Sequence, residues 1–157
     1  SSGTGDVSVE LSAIHSDVSN TGTGDMTIED SVVSGDIKNS GTGFMDLTDV
    51  ELHQEIENSG TGDFSMNGTT EVSLTSVINS GKGDITFTST VNKIEDITNS
   101  GTGDIKIQSI KSFANLKSSG TGDVKIKNCE TPGIVKNSGM GNISIPGVKS
   151  KGFSFGF

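Results

Sequence analysis

A glycine-containing hexapeptide recurs along this chain at nearly constant spacing. It reads Ser-Ser-Gly-Thr-Gly-Asp at Ser1–Asp6 and Asn-Ser-Gly-Thr-Gly-Asp at Asn99–Asp104. Successive Gly-x-Gly cores are 19, 19, 19, 21, 20, 19 and 19 residues apart, and they begin at Gly3, Gly22, Gly41, Gly60, Gly81, Gly101, Gly120 and Gly139. A period of this size is typical of repeat proteins, in which each repeat stacks on its neighbours to make a shared core.

Apolar residues follow each copy of the hexapeptide in two columns. We number every repeat from the residue two before its first glycine, so the repeats begin at Ser1, Asn20, Asn39, Asn58, Asn79, Asn99, Ser118 and Asn137. Positions seven and nine are apolar in all eight repeats, as with Val7 and Val9 in the first and Ile105 and Ile107 in the sixth. This period of two predicts a β-strand with one buried face.

These columns predict an all-β fold, a single parallel β-solenoid with about eight coils of 19–21 residues over residues 1–145. Stacked coils lie about 4.8 Å apart, so eight of them make a rod of about 38 Å. Parallel crossovers favour right-handed winding. The hydrophobic content of 29% is low for a compact globule, but a thin solenoid needs few core residues in each coil. The strict period argues against disorder, which is the other interpretation of this composition.

Charge is distributed unevenly along the chain. The net charge of −9 disfavours nucleic acid or an anionic membrane as the main partner. Residues 1–78 carry 14 acidic residues and one lysine, a net charge of −13, whereas residues 79–157 carry 6 acidic residues and 10 lysines, a net charge of +4. If the coils stack in order, the rod has an acidic first half and a basic second half. This gradient favours self-association, head to tail, into a fibre. Another cell-surface protein is the alternative partner.

Alternation by twos also assigns the residues of the hexapeptide to two sides of the wall. Its Asn and two Gly fall on the inward side, and its Ser, Thr and Asp fall on the outward side. Buried Asn side chains would form a ladder of hydrogen bonds along the rod. Inward glycines would let opposite walls approach closely. Alternatively, the stretch is a bend in which the glycines take positive φ, and the sequence leaves both interpretations open.

Two rows of hydroxyl groups are the first candidate ligand surface. Their regular members are Thr4, Thr23, Thr42, Thr61, Thr102 and Thr121 in one row and residues such as Ser40, Ser59 and Ser100 in the other. Regular Thr arrays of this kind resemble ice-binding β-solenoids, including a bacterial adhesin with GTGND-type repeats. Lys82 interrupts the Thr row, and the second row is mostly Ser, which lacks the methyl group. A solvated β-face is the structural alternative.

A column of carboxylates is the second candidate. It contains Asp6, Asp25, Asp63, Asp84, Asp104 and Asp123, with Phe44 and Asn142 at the other two positions. Calcium prefers oxygen ligands and would screen carboxylates stacked about 4.8 Å apart. The motif is similar to the calcium-binding nonapeptide of β-roll proteins, but one residue is missing between its second Gly and the Asp. The alternative is that each Asp accepts hydrogen bonds from backbone N–H groups of its own bend.

No constellation in the sequence points to catalysis. The chain has no tyrosine, no tryptophan and no arginine, so aromatic sugar platforms and guanidinium clamps are missing. His15 and His53 occupy the same repeat position two coils apart, a distance of about 10 Å that is too long for a shared metal. Cys129 is the single cysteine and is predicted to be a buried small apolar residue. We therefore expect no enzyme activity and no cofactor other than the calcium just considered.

The last twelve residues, 146–157, depart from the repeat. Pro146-Gly147 interrupts the wall, and Phe153, Phe155 and Phe157 then alternate with small residues. On one strand these three rings would share a face. This segment is predicted to be a cap that closes the core, or alternatively a strand that associates with another subunit.

The hexapeptide with its following strand resembles a known repeat family. The strings Asn99-Ser-Gly-Thr-Gly-Asp-Ile-Lys-Ile107 and Ser118-Ser-Gly-Thr-Gly-Asp-Val-Lys-Ile126 are similar to the SGSGDI-like repeats of the bacterial GIN-type domain, also described as an autotransporter adhesin head domain. The resemblance covers nearly the whole chain at the level of the motif. It implies a secreted or cell-surface protein and brings no catalytic residues.

These observations together predict a non-enzymatic structural or adhesive module, located outside the cell or on its surface. Ice binding through the Ser/Thr rows and a calcium-stabilised adhesin segment are the alternatives. The sequence contains no apolar run long enough to span a membrane, and because it starts inside a repeat we expect a mature form or a fragment.

Overall fold

The computed structural model describes residues 1–68 and 72–148. These residues form an all-β fold with no helix, as the repeat predicts. The described chain therefore contains no helix that is long and apolar enough to cross a membrane. Its strands are β1 (Val7–Glu10), β2 (Ala13–Ile14), β3 (Val18–Asn20), β4 (Met26–Glu29), β5 (Val32–Val33), β6 (Ile37–Asn39), β7 (Met45–Thr48), β8 (Glu51–Leu52), β9 (Glu55–Asn58), β10 (Phe64–Asn67), β11 (Val72–Asn79), β12 (Ile85–Asn99), β13 (Ile105–Ser118), β14 (Val124–Thr131), β15 (Ile134–Asn137) and β16 (Ile143–Ser144).

Successive coils are parallel and stack in register. Val7 pairs with Met26 and Met26 with Met45, so position seven of one coil lies on position seven of the next. Ile105 and Val124 continue the same register in the later coils. The chain thus completes about seven turns and begins an eighth with β16. One repeat makes one coil, and the predicted parallel β-solenoid is confirmed.

Each coil has three walls. The first wall follows the hexapeptide and consists of β1, β4, β7, β10, the first residues of β12, β13 and β14, and β16. The third wall precedes the next hexapeptide and consists of β3, β6, β9, the last residues of β11, β12 and β13, and β15. Between them, the second wall starts as a separate sheet of β2, β5 and β8. In the fifth and sixth coils, β12 and β13 run through all three walls.

The corner after the first wall changes along the rod. In the first three coils it contains Leu11, Asp30 and Asp49 with φ of 50°, 46° and 52°, and in the fourth it contains Gly68 with φ of 105°. A side chain in this left-handed region costs roughly 1–2 kcal/mol. Later coils turn through a shift in strand register, between Phe87 and the residues that follow it. The corner conformation is therefore not a property of the repeat.

Apolar columns from the three walls form one continuous core. Ile28, Leu47 and Ile85 have no exposed side-chain surface, and positions seven and nine are buried from the second coil onward. Val7 and Val9 are only half-buried, since β1 pairs with β4 alone. The predicted inward columns are thus confirmed, and each coil covers the core of the coil before it.

The wall ends after β16. Ile145 forms an antiparallel bridge with Val148, and Gly147 between them has a φ of 77°. Phe153, Phe155 and Phe157 lie outside the described residues. The boundary at residue 146 and the role of this segment as a cap or association strand therefore stay predictions.

Candidate interaction surfaces

The hexapeptide forms the bend that returns each coil from the third wall to the first. Asn39 in the second-to-third coil bend is completely buried. Its Nδ2 donates to the carbonyl oxygen of Gly43 at 3.0 Å, and its Oδ1 accepts the N–H of Gly41 at 3.3 Å. The same Nδ2 bond measures 2.8–3.0 Å at Asn20, Asn58, Asn79, Asn99 and Asn137. The side-chain amide thus spans the inside of a bend, which rules out the flat face.

The predicted hydrogen bonds of Asn side chains along the rod are present as a second, longer set of contacts, with backbone carbonyl oxygens as acceptors and not other Asn side chains. Nδ2 of Asn58 also approaches the carbonyl oxygen of Asp84 at 3.4 Å, and that of Asn99 approaches the carbonyl oxygen of Asp123 at 3.4 Å. The shorter bonds are local to one bend. The side chains of Asn39, Asn58, Asn79 and Asn99 therefore serve both their own coil and the next, whereas, among the described residues, that of Asn20 bonds only within its own bend.

The bend glycines are required by the contact between successive coils. A Cβ on Gly41 would overlap the carbonyl oxygen of Gly22, and a Cβ on Gly101 would overlap that of Gly81. The N–H of Thr42 donates to Gly22 at 3.0 Å, so the two backbones lie at hydrogen-bonding distance. We predicted that these glycines let opposite walls of a coil approach closely, and this explanation is wrong, because their close contacts are with the preceding coil. The alternative of positive φ is wrong as well, because Gly68 and Gly147 are the only glycines with positive φ in the described chain.

The aspartate column is a ladder of side-chain to backbone hydrogen bonds. One carboxylate oxygen of each Asp accepts the N–H of the same position in the next coil at 2.7–2.9 Å. The acceptors are Asp6, Asp25, Asp63, Asp84, Asp104 and Asp123. We predicted donors within the same bend, and they lie one coil further on. Residues 1–68 and 72–148 contain no group of three or more acidic, His or Cys side chains arranged to hold a metal, and calcium binding stays a prediction.

Lys106 bridges two rungs of this ladder. Its Nζ lies 2.6 Å from Oδ2 of Asp84 and 3.3 Å from Oδ2 of Asp104. The hydrogen bond to Asp84 raises the pKa of Lys106 above its ordinary value and outweighs the opposing effect of partial burial. Lys106 thereby neutralises part of the negative charge of the aspartate column, in the basic second half of the rod.

A second carboxylate ladder runs along the third wall. Oδ1 of Asp17 accepts the N–H of Asp36 at 3.0 Å, and Oδ1 of Asp36 accepts the N–H of Glu55 at 3.3 Å. Our sequence reasoning missed it. The signal was available, because Asp17 and Asp36 are 19 residues apart and each directly precedes an apolar column residue, as Asp6 and Asp25 do.

The predicted hydroxyl rows lie on the outer side of the bend. All nine candidate residues, Thr4, Thr23, Thr42, Thr61, Thr102, Thr121, Ser40, Ser59 and Ser100, are exposed. Their backbone bonds hold the rows in register from coil to coil, as between Ser59 and Asn39. Lys82 and Met140, the latter 83% exposed, interrupt the Thr row. The Thr row is therefore continuous over at most four coils, from Thr4 to Thr61, whereas the second row has Ser or Thr in all eight repeats.

Two shallow concavities lie on the first wall and were not predicted. One of about 500 Å³ surrounds Phe44, which is 54% exposed, and is also lined by Asp25, Asp46 and Asp63. Phe44 was noted in the sequence only as an exception in the aspartate column. The other concavity, of about 270 Å³, is lined by several residues that include Lys106, Lys125 and Lys127.

The histidines and the cysteine take structural or exposed positions. His15 is exposed, and Nε2 of His53 lies 3.2 Å from Oε1 of Glu51. Cys129 is half-buried against the core. Burial raises the pKa of its thiol, which disfavours the thiolate that a nucleophile requires.

Comparison of the chain with protein-family models, with curated proteins and with solved structures gives no match. The parallel β-solenoid thus rests on the repeat and on the coil geometry.

Proposed function

We propose that this chain is a non-enzymatic structural or adhesive module, a β-solenoid rod that acts through its outer surfaces. One observation carries the proposal. The Asp side chains of the hexapeptide accept backbone N–H groups of the next coil, and its Asn side chains hold the bend within their own coil. Because these side chains are bonded within the protein, the motif maintains the stack of coils, and contact with partners falls to the exposed walls.

The proposed location is outside the cell or on its surface. The support is the resemblance of the strings at Asn99–Ile107 and Ser118–Ile126 to GIN-type adhesin head repeats. Membership in that family is part of the proposal. A rod built from many small, hydrogen-bonded coils suits a module that spans distance or carries adhesive surfaces.

Association with further copies is the proposed mode of action. Within the described residues, β1, β2 and β3 of the first coil each pair on one side only. An unpaired strand edge is a template for another strand. The acidic first half and the basic second half would attract each other when one rod follows another, which supports head-to-tail growth into a fibre.

Sedimentation velocity over a range of protein concentrations tests this proposal. We expect the sedimentation coefficient to rise with concentration, and micrographs of the concentrated protein to show particles longer than one rod. A protein that sediments as a monomer at high concentration and at both low and physiological salt would contradict it.

Ice binding is a second candidate, favoured by the Ser/Thr rows. Most of their hydroxyls form no hydrogen bond to other described residues, although two exceptions are Thr21, which donates to Ser1, and Ser138, which approaches Ser118. Thermal hysteresis should then exceed that of a control protein and should fall in Thr61→Tyr. Thr75→Tyr, an exposed position of the same coil on another wall, is the matched control. Absence of hysteresis in the wild type would end this candidate.

A further inference from the structure

We propose that two copies of this chain pair face to face through the first wall, with their rods antiparallel. The inference rests on the proposed self-association and names its surface. We call this surface the charged face, defined as positions eight and ten of the first seven coils. It begins with Ser8 and Glu10 in the first coil and ends with Lys125 and Lys127 in the seventh.

The charged face changes sign along the rod. Its first three coils carry Glu10, Glu29 and Asp46, and its sixth and seventh coils carry Lys106, Lys125 and Lys127. The fourth coil, with Ser65 and Asn67, is uncharged. In-register pairing places these residues in straight columns, since Glu10 lies beside Glu29 and Lys106 beside Lys125.

A two-fold axis along the strand direction of the fourth coil makes this face complementary to itself. The axis brings the first coil of one copy opposite the seventh coil of the other, and the second opposite the sixth. Glu10 then faces Lys127 of the second copy, and Glu29 lies between Lys106 and Lys127 of the second copy. Symmetry forms every such contact twice, which is the usual geometry of a homodimer.

The concavity around Phe44 lies near the centre of this arrangement. It belongs to the third coil and is lined by Asp25, Thr27 and Asp46. The two-fold axis brings Lys106 of the second copy opposite Thr27, at the border of the concavity. A lysine there would contact an aromatic ring and carboxylates, both of which attract a cation. Burial of Phe44 would add an apolar contribution to a largely polar interface.

The aspartate column borders the charged face and opposes the pairing in part. The same axis places Asp6 opposite Asp123, and Asp25 opposite Asp104. These carboxylates lie at the rim, where the chain enters the bend, and salt and water screen them. Lys106 and Lys125 flank this column in the basic half. A small, charged contact of this kind predicts a weak dimer that dissociates in high salt.

The third wall does not have this complementarity. An equivalent axis would place Lys38 opposite Lys117 and Glu55 opposite Asp96. Lys38 is paired within its own chain with Glu55 and Glu57, as Lys106 on the first wall is with Asp84 and Asp104, so the comparison rests on which charges the axis brings together. Charge therefore favours the first wall as the paired surface.

Cross-linking at the axis tests the geometry. In a Cys129→Ser background, Ser65→Cys places one thiol of each copy on the two-fold axis. Packed sheets lie about 10 Å apart, so a short bismaleimide that spans this distance should link two chains. Thr61→Cys lies in the same coil but on the bend, and is the matched control. We expect covalent dimers at least tenfold more abundant for Ser65→Cys, and equal yields would overturn the proposed surface.

Charge reversal tests the chemistry independently of the cross-link. Glu10→Lys with Glu29→Lys should raise the dimer dissociation constant at least tenfold, and Lys125→Glu with Lys127→Glu should do the same. A mixture of the two variants should recover association, because their faces are again opposite in charge. The variant with all four changes should pair with itself but not with the wild type. Failure of the mixture to associate, with both variants folded, would overturn the inference.

Three results distinguish this inference from the proposed function. Assemblies of the wild type longer than one rod, together with efficient cross-linking of the Ser65→Cys variant, support both. Longer assemblies without that cross-link support head-to-tail association and overturn the charged face. A wild type that is monomeric under all conditions overturns both.

Discussion

Ser118 shows what a single rung of the stack contributes. It takes the Asn position in the seventh coil, is 1% exposed, and its Oγ has no hydrogen-bond partner among the described residues. Six coils place an Asn Nδ2 on the carbonyl oxygen four residues later, as Asn99 does on Gly103 at 3.0 Å. Serine is too short for this bond, so the bend of the seventh coil lacks its internal support.

Ser118→Asn should therefore stabilise the protein. The new side chain would bond the carbonyl oxygen of Gly122 and the N–H of Gly120, and we expect a gain of about 1–2 kcal/mol in the free energy of unfolding. Urea denaturation measures it. Ser119→Asn, one residue away and exposed, should change little. An unchanged or lowered stability of Ser118→Asn would contradict the assigned role of the Asn side chain.

Lys106 makes the stability of the folded protein depend on pH. Its folded-state pKa is raised above the ordinary 10.5 by its hydrogen bond to Asp84. The stabilisation is therefore fully present below pH 10.5 and is lost as the pH rises through the higher folded-state pKa. The Lys106 side chain is 46% exposed, so we expect Lys106→Met to cost less than about 1 kcal/mol at pH 8, and the cost to fall at alkaline pH as the ammonium group loses its proton. Urea titrations at pH 8 and at alkaline pH check this, with Lys125→Met as the control.

At the scale of the element, the bend depends on glycine for a reason that the repeat alone does not reveal. Alternation by twos correctly assigned these glycines to the inner side. It could not show that the missing Cβ points along the rod axis, because a sequence pattern contains no information on the distance between coils. From the second coil onward, the structure places each bend glycine against a backbone carbonyl of the preceding coil, as at Gly101 and Gly81.

Gly101→Ala should consequently cost about 3 kcal/mol in the free energy of unfolding, because its Cβ would displace the carbonyl of Gly81. Gly5→Ala is the matched control, since a Cβ there meets nothing within 4 Å. Thermal or urea unfolding of the two variants gives the comparison. Equal stability of the two would contradict coil contact as the reason for these glycines.

The corners mark the limit of sequence reasoning at this scale. Leu11, Asp30 and Asp49 occupy one repeat position with positive φ. Asp is among the non-glycine residues that adopt this conformation most often, so Asp30 and Asp49 carried a signal for it, whereas Leu is disfavoured there. The strands around Leu11 are imposed by stacking on neighbouring coils, and the corner residue adapts to that constraint.

At the scale of the whole molecule, the period and the apolar columns were sufficient to predict the parallel solenoid. Both depend only on which side chains must be buried together. The ladders were predicted less well, because the donor to each Asp is a backbone N–H, which every residue carries. The charged face was seen only as a gradient between halves, since its columns require knowledge of which outward positions share a wall.

Carboxylates of the hexapeptide hold one coil to the next, and the third coil, which lacks this carboxylate, is a control within the chain. Phe44 replaces Asp in the third coil, so the N–H of Asp63 faces a side chain without an acceptor, whereas the N–H of Asp84 and of Asp104 each have one at 2.8 Å. Amide hydrogen exchange measured by NMR gives the exchange rate of every backbone N–H at this repeat position in one experiment. We predict exchange at Asp63 about tenfold faster than at Asp84 and Asp104, with the difference removed in Phe44→Asp. Equal protection of the three amides in the wild type would contradict the claim.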